Sequence, residues 1–233
     1  MTILITGASR GIGKAIAAGF AADGHDLLLS ARNETALYKV LEEMQTRFPN
    51  ISVRAHAFDL SVAGEAQKLG QWATGAGVVP DVVVNNAGIF KPGSVHNEEE
   101  GFLETQLQVN LLAAYHLTRS LLPGMMERRS GHIFNISSIA GIKAYANGGA
   151  YSISKFALNG FSRNLREEMK PYGIKVTTVL PGAVLTDSWE GFDNSQHRIM
   201  EAADIARLVC AAASLSPGAC VEEIKVRPLA GDL

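Results

Sequence analysis

Seven short, nearly continuous apolar runs alternate along the chain with longer stretches in which apolar residues recur at helical spacing. Thr2–Thr6, Asp26–Ala31, Ile51–Ala57, Asp81–Asn85, His132–Ser137, Ile174–Leu180 and Val221–Val226 are predicted strands. The stretches 12–23, 34–48, 62–75, 99–128, 150–170 and 202–214 are predicted helices, several bounded by turn formers such as Gly24, Pro49 and Pro171. Apolar strands separated by helices imply a parallel sheet buried on both faces, because right-handed crossovers place helices above and below it. The expected class is therefore α/β: a single-domain, Rossmann-type, doubly wound seven-stranded parallel sheet with helices on both faces. Residues 1–233 fit one such domain. The long stretch of weak periodicity, 183–200, is a candidate substrate lid.

Composition changes this picture little. The chain is 47% hydrophobic and 19% charged, as a globular domain is. Its 21 Lys and Arg nearly balance 23 Asp and Glu without a block of like charge, so nucleic acid is not an expected partner. The first apolar run starts at Ile3, leaving no room for an export signal, and no apolar run reaches the roughly 18–20 residues of a membrane span. A cytoplasmic location with no membrane partner is the expectation. Cys210 and Cys220 lack a CxxC spacing and read as reduced structural thiols. His25, His56, His96, His116, His132 and His197 are scattered without ligand spacing, so no metal is expected.

In open parallel sheets ligands bind beyond the carboxyl ends of the strands, which restricts the search to the residues that follow each run. After the first strand, Gly7, Ser9, Arg10, Gly11, Ile12 and Gly13 open directly into a helix. Glycines there let the backbone approach a pyrophosphate, and the helix start supplies unpaired N–H groups. At the end of the second strand Arg32, aided by Arg10, offers cationic forks to a 2′-phosphate, which points to NADP(H). Glu34 is the nearby carboxylate that would oppose this if it turned inward. Asp59 and Leu60 are placed at the adenine edge, and Asn86, Ala87 and Gly88 follow the fourth strand, where amides can tie strand ends together.

The remaining candidates suit proton transfer. Tyr151 and Lys155, four apart on a predicted helix, share a face, and the ammonium would favour tyrosinate and so make the phenol more acidic. Ser138 ends the fifth strand at the ligand-facing edge, and Asn110 interrupts an apolar helical surface. Phe90, Tyr145, Trp189 and Phe192 form a candidate apolar substrate wall, judged from their strand-end and lid positions.

Taken together, these residues resemble the short-chain dehydrogenase/reductase family over essentially the whole chain. Thr6–Gly13 matches its TGxxxGxG loop, Asn85–Gly88 its NNAG, Ser138 its active-site serine and Tyr151–Lys155 its YxxxK. Pro181, Gly182 and Thr186 match its PGxxxT element, whose threonine holds the nicotinamide carboxamide. The resemblance implies an NADP(H)-dependent oxidoreductase that moves a hydride between nicotinamide and a small or medium carbonyl or alcohol, a catalytic set of Asn110, Ser138, Tyr151 and Lys155, and Tyr151 as general acid and base. It also implies that Lys155 grips the nicotinamide ribose, that Asn110 supports a water-linked proton path, and that the protein is a homodimer or homotetramer through the two long helices. Two branches fit. A 3-oxoacyl-carrier-protein reductase would use Arg128 and Arg129 for carrier docking, although Tyr172 stands where a further arginine is expected and the tail lacks the NGG ending. A sepiapterin-reductase-like carbonyl reductase would use Trp189 to stack on a pterin. A non-catalytic NADP(H)-sensing regulator is the alternative outside enzymes.

Overall fold

The computed structural model describes residues 1–75, 77–186, 189 and 191–231. Strands β1 (Thr2–Thr6), β2 (Asp26–Ala31), β3 (Val53–Ala57), β4 (Val82–Asn85), β5 (Gly131–Ile136), β6 (Ile174–Pro181) and β9 (Glu223–Val226) form one seven-stranded sheet in the order β3-β2-β1-β4-β5-β6-β9. Every pairing in it is parallel. A further short parallel pair joins β7 (Val184–Leu185) to β8 (Met200–Glu201).

Alternation along each strand splits the core into two layers. Ile3 and Ile5 of β1 face α1 (Gly11–Ala22), α2 (Glu34–Arg47) and α7 (Ala202–Ala213) through Ile16, Phe20, Leu37, Ile205 and Val209. Leu4 points the other way, with Leu69 of α3 (Glu65–Thr74), Leu117 of α5 (Ala113–Arg128) and Leu165 of α6 (Gly149–Met169). Both faces of the central strands are thus apolar, which is why these runs read as continuous rather than alternating.

One expectation is corrected. The predicted helix over 99–128 is not one α-helix: α4 (Phe102–Leu107) passes through a π-turn at Gln108–Leu112 before α5 begins. The widened turn contains Asn110, whose amide bonds to the backbone of Ile89 outside the helix, a contact that periodicity cannot reveal. In the candidate lid 183–200 the described residues make local contacts. Val184 and Ile199 are buried, β7 pairs with β8, and the Asn194 side chain both accepts from Ile199 N (2.9 Å) and donates to its carbonyl (3.1 Å). Positions 187, 188 and 190 of that stretch lie outside the described residues.

Candidate active site

The carboxyl ends of β1, β4, β5 and β6 open onto a cleft of 540 Å³. Of the residues singled out in the sequence, Ile12, Asn86, Gly88, Phe90, Ser138, Tyr145, Tyr151, Lys155, Pro181, Gly182, Thr186 and Trp189 line it.

At one end, the glycine loop is held by β4. The Asn86 side-chain amide donates to Thr6 O (2.9 Å) and Gly7 O (3.2 Å), and the Thr6 hydroxyl accepts from the backbones of Asn86 and Ala87. Gly7 and Gly11 have φ of 64° and 52°, a region that disfavours side chains. A Cβ on Gly11 would approach the Thr186 methyl to 3.1 Å, so the glycine loop and Thr186 meet across the cleft. The first turn of α1 carries no acidic residue, and Arg10, its N-cap, makes no side-chain cap there. That helix start keeps its positive end for an anion. Arg32 and Arg10 are exposed at this end, and Arg32 contributes to holding the Asp59 carboxyl below its usual range, after the hydrogen bonds from Ser61. The Leu60 side chain belongs to the core beneath.

At the other end, the start of α6 meets the end of β5. Ser138 caps a short 3-10 turn at Ile139–Gly141 by accepting from Ala140 N (3.1 Å). Burial pushes the Tyr151 phenol up to about 12, while a hydrogen bond with Ser138 pulls the other way. Lys155 is 5% exposed; its Nζ donates to Ile136 O (3.0 Å) and lies 5.8 Å from the centre of the Tyr151 ring. Burial lowers this ammonium to about 8. Desolvation of the phenol thus outweighs the Ser138 hydrogen bond and makes it harder to ionise than an ordinary tyrosine.

Asn110 sits behind the cleft wall. Besides its two bonds to Ile89, its amide donates to Ser154 Oγ at 2.9 Å and approaches Gln106 Oε1 at 3.4 Å. Ser154 donates in turn to Tyr151 O at 2.7 Å, so this amide braces the turn of α6 that carries the tyrosine. The Asn110 carboxamide oxygen also lies under Gly88, where a Cβ would come within 3.3 Å of it and 3.6 Å of Lys155 Nζ. Phe90 packs edge-on against Tyr151 at 4.8 Å, and Trp189 against Phe192 at 5.2 Å. Phe192 backs the tryptophan without being among the cleft-lining residues.

Arg128 and Arg129 do not reach this cleft. Arg128 donates to Val79 O, Pro80 O and Ser130 O and pairs with Asp81, and Arg129 donates to Pro171 O. Sequence reasoning missed Ile89, Ile139, Ala140 and Lys143 on the cleft wall, and Ser154 and Gln106 behind it. Lys143 carries no motif; its place follows only from the path of the turn after Ser138. Among the described residues no group of three or more His, Cys, Asp or Glu could hold a metal, and no helix is long and apolar enough to cross a membrane.

A doubly wound sheet with a glycine loop after β1, and a serine, tyrosine and lysine at one cleft, defines a nucleotide-binding oxidoreductase fold. The model for short chain dehydrogenases matches residues 1–197, and the chain belongs to that family. Among its relatives is the sepiapterin reductase of Chlorobaculum tepidum, 33% identical over 99% of this chain and 97% of that protein. A metagenomic short-chain oxidoreductase solved with NADP superposes with a TM-score of 0.85 at 34% identity, covering 98% of this chain and 96% of that one. The alcohol dehydrogenase of Thermococcus sibiricus, solved with 5-hydroxy-NADP, gives 0.89 at 27% identity over the same shares.

Proposed function

We propose that this oxidoreductase uses NADP(H) to reduce a small or medium carbonyl compound, and to oxidise the matching alcohol in reverse. The observation that carries the reading is the convergence of Ser138, Tyr151 and Lys155 on a cleft that Ile12 of the glycine loop also lines. The residues present fit the dinucleotide. Gly7, Ser9, Gly11, Ile12 and Gly13 with the start of α1 would hold the pyrophosphate, Arg10 and Arg32 the 2′-phosphate, and Asp59 with the backbone of Leu60 the adenine. Asn86, Ala87, Gly88, Pro181, Gly182 and Thr186 would enclose the nicotinamide half. When bound, the cofactor supplies or accepts the hydride. Binding of NADP by relatives of this chain supports the choice.

The chain's own groups manage the proton. The Ser138 hydroxyl orients the substrate oxygen, and Tyr151, protonated at neutral pH, donates to that oxygen as negative charge develops on it. Reduction requires the protonated phenol; the oxidative direction requires phenolate and gains as pH rises. Lys155 would grip the ribose and restore the proton, and Asn110, which braces the tyrosine's turn through Ser154, would support a water path. Segment 183–200 would act as the lid, bringing Trp189 and Phe192 over the substrate. Leu112, Ile153 and Phe156 leave an apolar face exposed outside the cleft, and this face supports a homodimer or homotetramer. The carrier-protein alternative loses Arg128, which the fold already uses to anchor the approach to β4.

The test is a carbonyl panel of sepiapterin, small diketones and acetoacetyl thioesters, following NADPH and NADH separately. Consumption of NADPH with diketones or sepiapterin is expected. A strong thioester preference would move the protein to the fatty-acid branch, and cofactor binding without turnover across the panel would favour the sensor.

A further inference from the structure

Lys143 follows Ser138 by five residues, just after the short 3-10 turn at Ile139–Gly141. Its backbone N–H donates to Ile139 O at 3.0 Å, as that of Gly141 does to Ser138 O. The exposed residue thereby joins the cleft wall alongside Ser138, Tyr145 and Tyr151. Lys143 and Lys155 are the charged residues among the described lining; no Asp or Glu is among them. Lys155 is buried and bonded to Ile136 O, which leaves Lys143 as the exposed cation of the described lining. Its ammonium has no ion pair or hydrogen bond among the described residues. Phe90, Tyr145 and Trp189 line the same cleft, and burial raises the Tyr145 phenol, so that group stays a neutral donor.

We propose that Lys143 selects carbonyl substrates that carry an anionic group, a carboxylate or a phosphate, and holds that group at the cleft mouth while the carbonyl lies against Ser138 and Tyr151. The inference rests on the oxidoreductase reading of the same cleft and adds the charge of the substrate. A long flexible stem ending in a point charge can follow anions of differing length, and a substrate that fills an aromatic-walled cleft displaces water and strengthens the attraction. The same ammonium disfavours cationic substrates.

The test measures binding apart from turnover. Calorimetry on Tyr151→Phe protein loaded with NADPH compares levulinate with methyl levulinate, and dihydroxyacetone phosphate with dihydroxyacetone, each with and without Lys143→Met. At low salt the anionic member of at least one pair should bind about fivefold tighter, and Lys143→Met should remove most of that preference. The pair with the larger loss tells carboxylate from phosphate. An anion-to-neutral ratio that is equal with and without Lys143, or failure of both anions to bind, overturns the proposal. Loss of NADPH consumption with every carbonyl in the wild-type protein would instead sink the enzymatic reading, and the binding ratio would still report on Lys143.

Discussion

Replacing Gly13 by Ala tests the packing of the nucleotide end. A Cβ there would lie 2.3 Å from Gly7 O and 2.5 Å from Asn86 Nδ2. Both are fixed atoms, since that same amide binds Thr6 O and Gly7 O. Ordinary contact requires roughly 1 Å of retreat, which breaks or stretches those two bonds. Each contributes about 1 kcal/mol, and forcing a methyl into a filled site costs about 1–3 kcal/mol more. Gly13→Ala should therefore lose about 3–5 kcal/mol in urea unfolding. Displacing the loop that would meet the pyrophosphate should weaken NADPH binding at least tenfold by fluorescence titration. Gly218→Ala is the control: a Cβ there meets nothing within 4 Å, and it should stabilise by about 0.4–1 kcal/mol through the unfolded chain. A Gly13→Ala protein with wild-type urea midpoint and NADPH affinity would refute the account of the loop.

Three further outcomes are expected. Lys155, about 8 when folded against 10.5 as an ordinary lysine, binds its proton more weakly than the unfolded chain does. The penalty is full below pH 8 and is relieved as pH rises to 10.5, so cofactor-free Lys155→Met should be about 2 kcal/mol more stable at pH 7, should lose that advantage by pH 10, and should lose turnover. His132, buried beside Thr177 and lowered to about 3, makes stability fall as pH drops from 6.5 toward 3, by up to about 4–5 kcal/mol. Urea midpoints at pH 7, 5 and 4 should fall more steeply for the wild type than for His132→Gln. Arg32→Asp should raise the KM for NADPH at least tenfold and leave that for NADH within about threefold, because only the former carries the 2′-phosphate.

The strands were legible because burial on both faces leaves nothing but aliphatic residues in Ile3–Ile5, Leu27–Leu29 and Val82–Val84. The glycine loop and the Tyr151–Lys155 pair were legible because their chemistry imposes fixed spacings. What stayed hidden depends on contacts remote in sequence. Asn110 opens its helix through the backbone of Ile89, 21 residues away, and Ser154 meets Asn110 across 44 residues. The burial that raises the Tyr151 phenol does not show in the spacing of the pair. Burial of the ring against Phe90 and the commitment of Lys155 to a carbonyl are facts of packing.

The central claim is that Tyr151 delivers the proton that completes carbonyl reduction. Single-turnover oxidation of NADPH by Tyr151→Phe, alongside its NADPH affinity, tests it most directly. The account expects a rate lower by about a hundredfold or more with affinity within about threefold of wild type. Near-normal reduction by that variant would contradict it.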